Sequence, residues 1–155
     1  MNLHYTLSHQ EAARIVSAIQ QALEQRGQGA AIAVVDAHGE LLAFLRTDGC
    51  KLPSITIAIN KAFTAARECR PSAEVGADSR ETPFPMTNFG DPRYTAWGGG
   101  IPIVSHGEVV GAVGVSGLTE DEDIALAQVG LDLFAYNRLA ALPARRPCAH
   151  RAFNA

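Results

Sequence analysis

Lys61 is the side chain in this sequence best placed to hold an acidic ligand or to move a proton. It lies two residues after Ile59 and two before Phe63, at the border of the buried face of a predicted amphipathic helix. An ammonium at the edge of a pocket can bind an anion or act in acid–base chemistry. The alternative is a solvated lysine whose stem lies along apolar surface.

A second group of chemically useful side chains lies in residues 89–97, where flat aromatic rings alternate with charges and turn residues. This mixture favours the wall of a pocket for a planar or carboxylate-bearing ligand, with an arginine as the anion anchor. A loop that only folds its rings onto the core is an equally good interpretation. The candidate ligand-binding residues are Phe89, Arg93 and Trp97, with Arg46 as a second anchor, and Tyr94 is the candidate acid–base partner of Lys61.

Three consecutive glycines, Gly98, Gly99 and Gly100, follow this segment and precede a predicted strand. Without side chains they let backbone amides approach a ligand and donate hydrogen bonds to it. We therefore expect the side chains of Lys61, Tyr94 and Trp97 to lie close together near this turn. Replacing that lysine by alanine should then weaken ligand binding at least about tenfold and leave the fold intact.

The sequence lacks the signatures of several common enzyme sites. Residues 111–117 (GAVGVSG) have the wrong spacing for a nucleotide-binding loop, and the helix after them begins with four consecutive acids that would repel phosphate. We interpret this run as a strand crossed closely by another backbone. No Gly-x-Ser-x-Gly elbow occurs, so nucleophilic hydrolysis is disfavoured.

The five histidines are scattered, with no pair at helical spacing, so we predict no metal site and no required cofactor. His38 and His106 each precede a glycine in a predicted turn, where an exposed turn residue is the more common role. Haem iron needs as little as one protein ligand, which keeps haem as a candidate. The sequence does not single out the histidine that would bind it.

The length of 155 residues, with 47% hydrophobic and 19% charged side chains, fits one globular domain. We assign residues 1–142 to this domain. Residues 143–155 hold three arginines and no acid, and we predict that they form a disordered basic tail. The remaining ten basic and sixteen acidic residues give residues 1–142 a charge of −6, which disfavours nucleic acid as a partner.

The cysteines and the chain's beginning predict a cellular location. Three cysteines with no Cys-x-x-Cys pair leave an odd count, which favours a reducing compartment over a disulfide framework. The first residues do not resemble a secretory signal, and no apolar run is long enough to span a bilayer. The expected location is the cytoplasm, with no membrane partner.

Periodicity and capping signals predict the element order α-ββ-α-loop-ββ-α. Capping boxes at residues 8–11 and 119–122 begin the first and last helices, and Ser54 is the expected N-cap of the middle helix. The strands are expected at residues 30–35, 40–46, 101–104 and 109–115, with a loop over 76–100. Two hairpins favour a mainly antiparallel sheet with helices on its faces.

Five blocks of this sequence, in order, resemble the GlcG/HbpS family. They are residues 34–44 (VVDAHGELLAF), 46–49 (RTDG), 54–65 (SITIAINKAFTA), 99–103 (GGIPI) and 111–117 (GAVGVSG), and the resemblance spans residues 8–135. It implies a profilin-like α/β (α+β) fold, with a mainly antiparallel sheet of about five strands flanked by helices. It also implies a homo-oligomer, and it places Lys61 on the lysine of the family's K-A-x-T-A motif. Asp36 and Asp123 also fall on family positions, where a turn and a helix start explain them.

The functions that this resemblance implies are divided. Some relatives bind haem or other tetrapyrroles, and some are associated with glycolate or diol metabolism without an assigned activity. Another relative, cucumopine synthase, performs a cofactor-free cyclisation. The leading hypothesis is a small-molecule-binding protein for haem or another planar or carboxylate-bearing ligand, held by residues 84–100 and the Lys61 helix. The first alternative is a cofactor-independent lyase, isomerase or cyclase that acts on a small metabolite. The second is an oligomeric accessory protein of a metabolic operon.

Overall fold

The computed structural model describes residues 5–83 and 85–140, with side chains described as far as Arg138. Phe84 of the predicted pocket loop and the predicted basic tail therefore lie outside the described residues. The elements are α1 (His9–Arg26), β1 (Ala31–Asp36), β2 (Leu41–Arg46), α2 (Pro53–Glu68), α3 (Ser72–Glu81), a 3-10 helix (Met86–Phe89), β3 (Gly100–Ser105), β4 (Glu108–Ser116) and α4 (Glu120–Ala140).

The strands form one antiparallel sheet in the order β2-β1-β4-β3. Each hairpin supplies two neighbouring strands, and the pairing of β1 with β4 joins the hairpins at the centre of the sheet. This confirms the predicted mainly antiparallel α+β architecture. The described residues contain four strands, where about five were expected.

The two faces of the sheet are covered by different helices. Ile32 and Val34 of β1 point to the side where α1 and α4 pack, while Ala31, Ala33 and Val35 point to α2. This alternation is the pattern of a strand buried on both faces. The α2 face of the sheet carries mostly alanine and glycine, so the helix backbone lies close to the strands.

The close approach of α2 explains the small residues of 111–117. A Cβ atom added at Gly114 would lie 2.1 Å from the carbonyl oxygen of Ala58. The prediction of a strand crossed closely by another backbone is therefore confirmed, and the crossing backbone is that of α2.

Both predicted capping boxes are present. The Ser8 hydroxyl accepts from the Glu11 amide while the Glu11 carboxylate accepts from the Ser8 amide. Thr119 and Glu122 make the same reciprocal pair at the start of α4. These local signals fix where both helices begin.

The structure corrects the sequence predictions at two places. Ser54 is not an N-cap: α2 begins at Pro53 after Leu52, no side chain caps it, and Ser54 is buried. The predicted loop over 76–100 is shorter, because α3 continues to Glu81 and a 3-10 helix covers Met86–Phe89. Among the described residues, no helix has both the length and the apolar character needed to cross a bilayer.

Candidate functional site

Lys61 lies on the face of α2 that packs against β3 and β4, and its side chain is 3% exposed. Its Nζ donates to Asp123 Oδ2 at 2.8 Å and to the carbonyl oxygen of Val115 at 3.0 Å. A buried ammonium is tolerated only when its charge is paired and its protons are hydrogen-bonded. The lysine is therefore almost completely buried, deeper than the border position that the sequence predicts.

Asp123 supplies the opposite charge from the first turn of α4. Glu120 and Asp121 beside it are exposed, whereas Asp123 is 2% exposed. Its Oδ1 accepts from the amide of Leu118 at 3.1 Å, which leaves Oδ2 for the lysine. The carboxylate thus closes the turn between β4 and α4 and, at the same time, neutralises the ammonium.

The ion pair lies at the wall of a cavity of about 350 Å³, which we call the Lys61 cavity. It lies between the start of α2, the β4–α4 turn and Trp97. The chain has two lysines and one tryptophan, and all three line this cavity. The lining residues are Lys51, Pro53, Ser54, Ile57, Lys61, Trp97, Ser116, Gly117, Leu118, Glu120 and Asp123.

Ser72 fixes the backbone that carries Trp97. Its buried hydroxyl donates to the Trp97 carbonyl oxygen at 2.8 Å and accepts from the Gly100 amide at 2.9 Å. These two bonds hold both ends of the three-glycine turn. The indole itself is 58% exposed at the rim of the cavity.

The three glycines of this turn are accounted for by close packing. A Cβ at Gly99 would lie 3.0 Å from Lys61 Nζ and 2.6 Å from the Val115 carbonyl oxygen, and one at Gly100 would overlap the Lys61 carbonyl oxygen. Gly98 packs in the same way against Glu120 of α4. The turn thus meets Lys61 and Trp97, as expected, while a role for its amides in ligand binding stays a prediction.

Tyr94 and its neighbours form a separate group around the buried ring of Phe63. The rings of Tyr94 and Phe63 lie 5.2 Å apart, and Phe89 packs on Tyr94 at 4.5 Å. The Arg93 guanidinium lies 3.9 Å from the centre of the Phe63 ring and also pairs with Asp91. Burial, and then the nearby Glu68 carboxylate, raise the pKa of Tyr94.

The structure therefore divides the predicted site residues. Lys61 and Trp97 line one cavity beside the three-glycine turn, whereas Phe89, Arg93 and Tyr94 are not among its lining residues. Arg46 is exposed at the end of β2, near Cys50, and does not line the cavity either. Burial raises the pKa of the Cys50 thiol, and the Arg46 charge opposes that shift.

A second and larger cavity of about 690 Å³, which we call the His106 cavity, lies between α1, the β3–β4 turn and α4. Its apolar lining residues are Ile15, Val104, Leu133, Phe134 and Ala135, and its polar ones are Glu11, Arg14, Ser105, His106, Asn137 and Arg138. No residue proposed from the sequence as part of a binding site lies here, apart from the unassigned His106.

Sequence reasoning missed several residues that build these cavities. The sequence explains Asp123 as a helix-start residue, although its family position and its place as the last of four acids before the apolar α4 stripe both mark it. Ser72 and Lys51 carry no spacing signal, because their roles arise from contacts between distant segments. Within the described residues, no group of three histidine, cysteine or acidic side chains is arranged to hold a metal ion.

Comparison with known proteins gives matches over most of the chain. Residues 7–132 match the family described as "Haem degrading protein HbpS-like". Protein GlcG of Escherichia coli is 37% identical over 119 residues, which cover 75% of this chain and 85% of GlcG.

Solved structures share the fold. HbpS of Streptomyces reticuli, in a doubly substituted form, superposes with a TM-score of 0.78 at 30% identity, covering 86% of this chain and 90% of that chain. The PduOC:heme complex superposes with a TM-score of 0.76, covering 83% of this chain and 94% of that chain. Its identity of 23% supports a shared fold and nothing finer.

Proposed function

Because this chain belongs to the HbpS-like family, we propose that it is a small-molecule-binding protein whose ligands are planar and carry a carboxylate. Haem is one such ligand, and the description of the matching family, "Haem degrading protein HbpS-like", supports its inclusion. The Lys61 cavity is the proposed site for the smaller members of this ligand class.

The observation that carries the proposal is the meeting of both lysines and the sole tryptophan at one cavity. An indole offers a flat apolar surface for a ring, and an ammonium offers the charge that a carboxylate needs. A cavity of about 350 Å³ lies in the range of small-molecule pockets. No other arrangement within residues 5–83 and 85–138 combines these groups.

The charges around the cavity suggest how a carboxylate would be held. Lys61 has three ammonium protons, and Asp123 and Val115 accept two of them. One negative charge in the Lys61 cavity is favoured by three features: the third Lys61 proton, the Lys51 ammonium and the positive end of the α2 dipole. Glu120 and Asp123 oppose a second one, so the cavity favours monocarboxylates over dicarboxylates.

Haem does not fit the Lys61 cavity. The lining residues include no histidine, cysteine, methionine or tyrosine, which are the side chains that ligate haem iron. The cavity volume of about 350 Å³ is also only about half that of the His106 cavity. Haem binding by this protein therefore needs a different site.

A second candidate function is acid–base catalysis on a small metabolite. The observation that favours it is the buried Lys61–Asp123 pair at the wall of the Lys61 cavity, which places an ammonium and a carboxylate oxygen 2.8 Å apart, within reach for proton transfer. Tyr94 lies outside this cavity, so Asp123 rather than Tyr94 would share the proton transfer. Exchange of the pyruvate methyl protons in D₂O, followed by proton NMR, tests it; exchange no faster than in buffer would rule against it.

The binding proposal is tested with nicotinate and benzoate as probes, and with nicotinamide and benzamide as uncharged controls. Quenching of the single tryptophan reports occupancy of the Lys61 cavity, and calorimetry gives the affinity. We expect the acids to bind about tenfold or more tightly than the amides, and Lys51→Met to remove that preference. Arg80→Met, on the exposed side of α3, is the matched charge-removal control. Equal binding of acids and amides would contradict the proposal.

A further inference from the structure

We infer that the His106 cavity is the haem site of this protein, with His106 as the iron ligand through Nε2. This inference rests on the haem part of the proposed function and names the residues that would serve it. The site is distinct from the Lys61 cavity and lies on the other side of the sheet, where α1 and α4 pack.

The size and lining of the His106 cavity suit a large flat ligand with charged edges. Its volume of about 690 Å³ is about twice that of the Lys61 cavity. Ile15, Val104 and Phe134 supply apolar walls, and Val104 is 54% exposed on the edge strand β3. Cofactor pockets combine apolar walls with placed polar groups, and this cavity is lined by five apolar and six polar residues.

The hydrogen bonds of His106 favour metal binding by its second ring nitrogen. The Nδ1 atom lies 2.9 Å from Ser105 Oγ, and Arg138 Nη1 also donates to that oxygen. A hydroxyl oxygen has two lone pairs, so it can accept from both Arg138 and a protonated Nδ1. In that tautomer Nε2 carries the free lone pair, which is the arrangement found in most metal-binding histidines.

The position of the His106 ring is fixed from two further directions. Its backbone has a φ of +53°, an uncommon conformation for a residue other than glycine. The ring stacks on Tyr5, with ring centres 4.0 Å apart and planes 11° apart. The φ of +53° at His106 and of +80° at Gly107 are what a two-residue hairpin loop requires, so the contacts with Ser105 and Tyr5 are the observations that favour a role for the ring.

Two arginines provide the positive charge that haem propionates need. Arg138 also contacts Glu11 at 3.4 Å, whereas Arg14 makes no ion pair within the described residues. Arg14 is therefore the more available of the two for a propionate, and Arg138 mainly holds Ser105. Bound haem would supply a redox-active iron, which the protein's own side chains cannot.

The test compares ferric haem with protoporphyrin IX, which has the same ring and propionates but no iron. In titrations of the full chain, we expect His106→Ala to weaken haem binding at least about tenfold and to shift the Soret band. Protoporphyrin binding should stay within about twofold, because it does not use the Nε2 lone pair. Arg14→Gln should weaken both ligands, and His38→Ala, in the exposed β1–β2 turn, should weaken neither.

The outcomes separate this inference from the broader proposal. If haem fails to bind the unmodified chain, haem binding itself is wrong and no choice of site is supported. If haem binds and His106→Ala leaves the Soret band and the affinity unchanged, the assignment to His106 is overturned. Ser105→Ala is the second variant, and its haem Soret band should broaden or shift while circular dichroism stays that of the native fold.

Discussion

Lys61 Nζ and Asp123 Oδ2 lie 2.8 Å apart, although 62 residues separate them in the chain and each side chain is 3% exposed. The same ammonium donates to the Val115 carbonyl oxygen of β4. One side chain thus joins α2, the last residues of β4 and the start of α4, which are the three elements around the Lys61 cavity.

Because of this pairing, Lys61→Met should destabilise the fold and not only weaken ligand binding. It would leave the Asp123 carboxylate buried without its charge partner, at a cost of about 3–5 kcal/mol. The double variant Lys61→Met, Asp123→Leu should regain more than half of that loss, since no charge is then left unpaired. Urea unfolding measures both, and Lys51→Met at the cavity rim should change stability by less than about 0.5 kcal/mol.

The burial of Lys61 also changes the expectation for alanine at this position. The sequence predicts that Lys61→Ala leaves the fold intact, whereas an unpaired Asp123 should destabilise it. A Lys61→Ala protein with the unfolding midpoint of the unmodified chain would contradict the structural role described here.

Gly99 should tolerate alanine much less well than Gly90. Both have positive φ angles, +114° and +69°, so both substitutions strain the backbone. Nothing lies within 4 Å of a Cβ at Gly90, but one at Gly99 meets the Val115 carbonyl oxygen at 2.6 Å. We expect Gly90→Ala to cost about 1 kcal/mol and Gly99→Ala about 2 kcal/mol more, by urea unfolding. Equal losses would mean that the packing around Gly99 is looser than described.

Tyr94 should make the folded protein less stable at alkaline pH. Burial, and then Glu68, raise the pKa of this phenol in the folded state. Above the ordinary tyrosine pKa of about 10, the unfolded chain loses a proton that the folded chain keeps. The contribution of protonated Tyr94 to the free energy of unfolding is therefore complete below a pH of about 10, and it declines as the pH rises through the raised pKa. Unfolding free energies at increasing pH should fall more steeply for the unmodified chain than for Tyr94→Phe; parallel curves would contradict this.

The homo-oligomer predicted from the sequence remains a prediction, and the structure suggests where to test it. The outer strands β2 and β3 carry large exposed apolar side chains, with Leu41 48% and Val104 54% exposed. Light scattering should give a mass that is a multiple of 16.4 kDa. Val104→Asp and Leu41→Asp, tested singly, should show which edge is shared. A 16.4 kDa particle at micromolar concentration would overturn the prediction.

Local signals in the sequence were enough for most of the fold. The capping boxes at Ser8 and Thr119 and the two hairpins depend on residues a few positions apart, and all are present. Helix α3 was missed because it buries only Ser72, Val75 and Gly76, too few apolar side chains to give a helical pattern.

The candidate site was only partly predictable because its contacts are between distant segments. Lys61 and Trp97 could be proposed from residue type and position, but the partner of the ammonium could not. Tyr94 was expected beside them and instead packs on Phe63. A hydrogen bond from the Thr95 amide to Thr64 Oγ1 sets the path of the chain beside Tyr94, and no sequence pattern predicts this bond.

The close packing of α2 against the sheet restricts how this protein can evolve. Gly114 leaves no room for a side chain and Ala33 is fully buried against the same helix, so we expect an added methyl group at either position to push α2 outward. Lys61 would move with the helix, although neither small residue touches the cavity. Substitutions that alter ligand preference should therefore appear at these remote positions in selection experiments, and a mutant library restricted to the cavity lining would miss them.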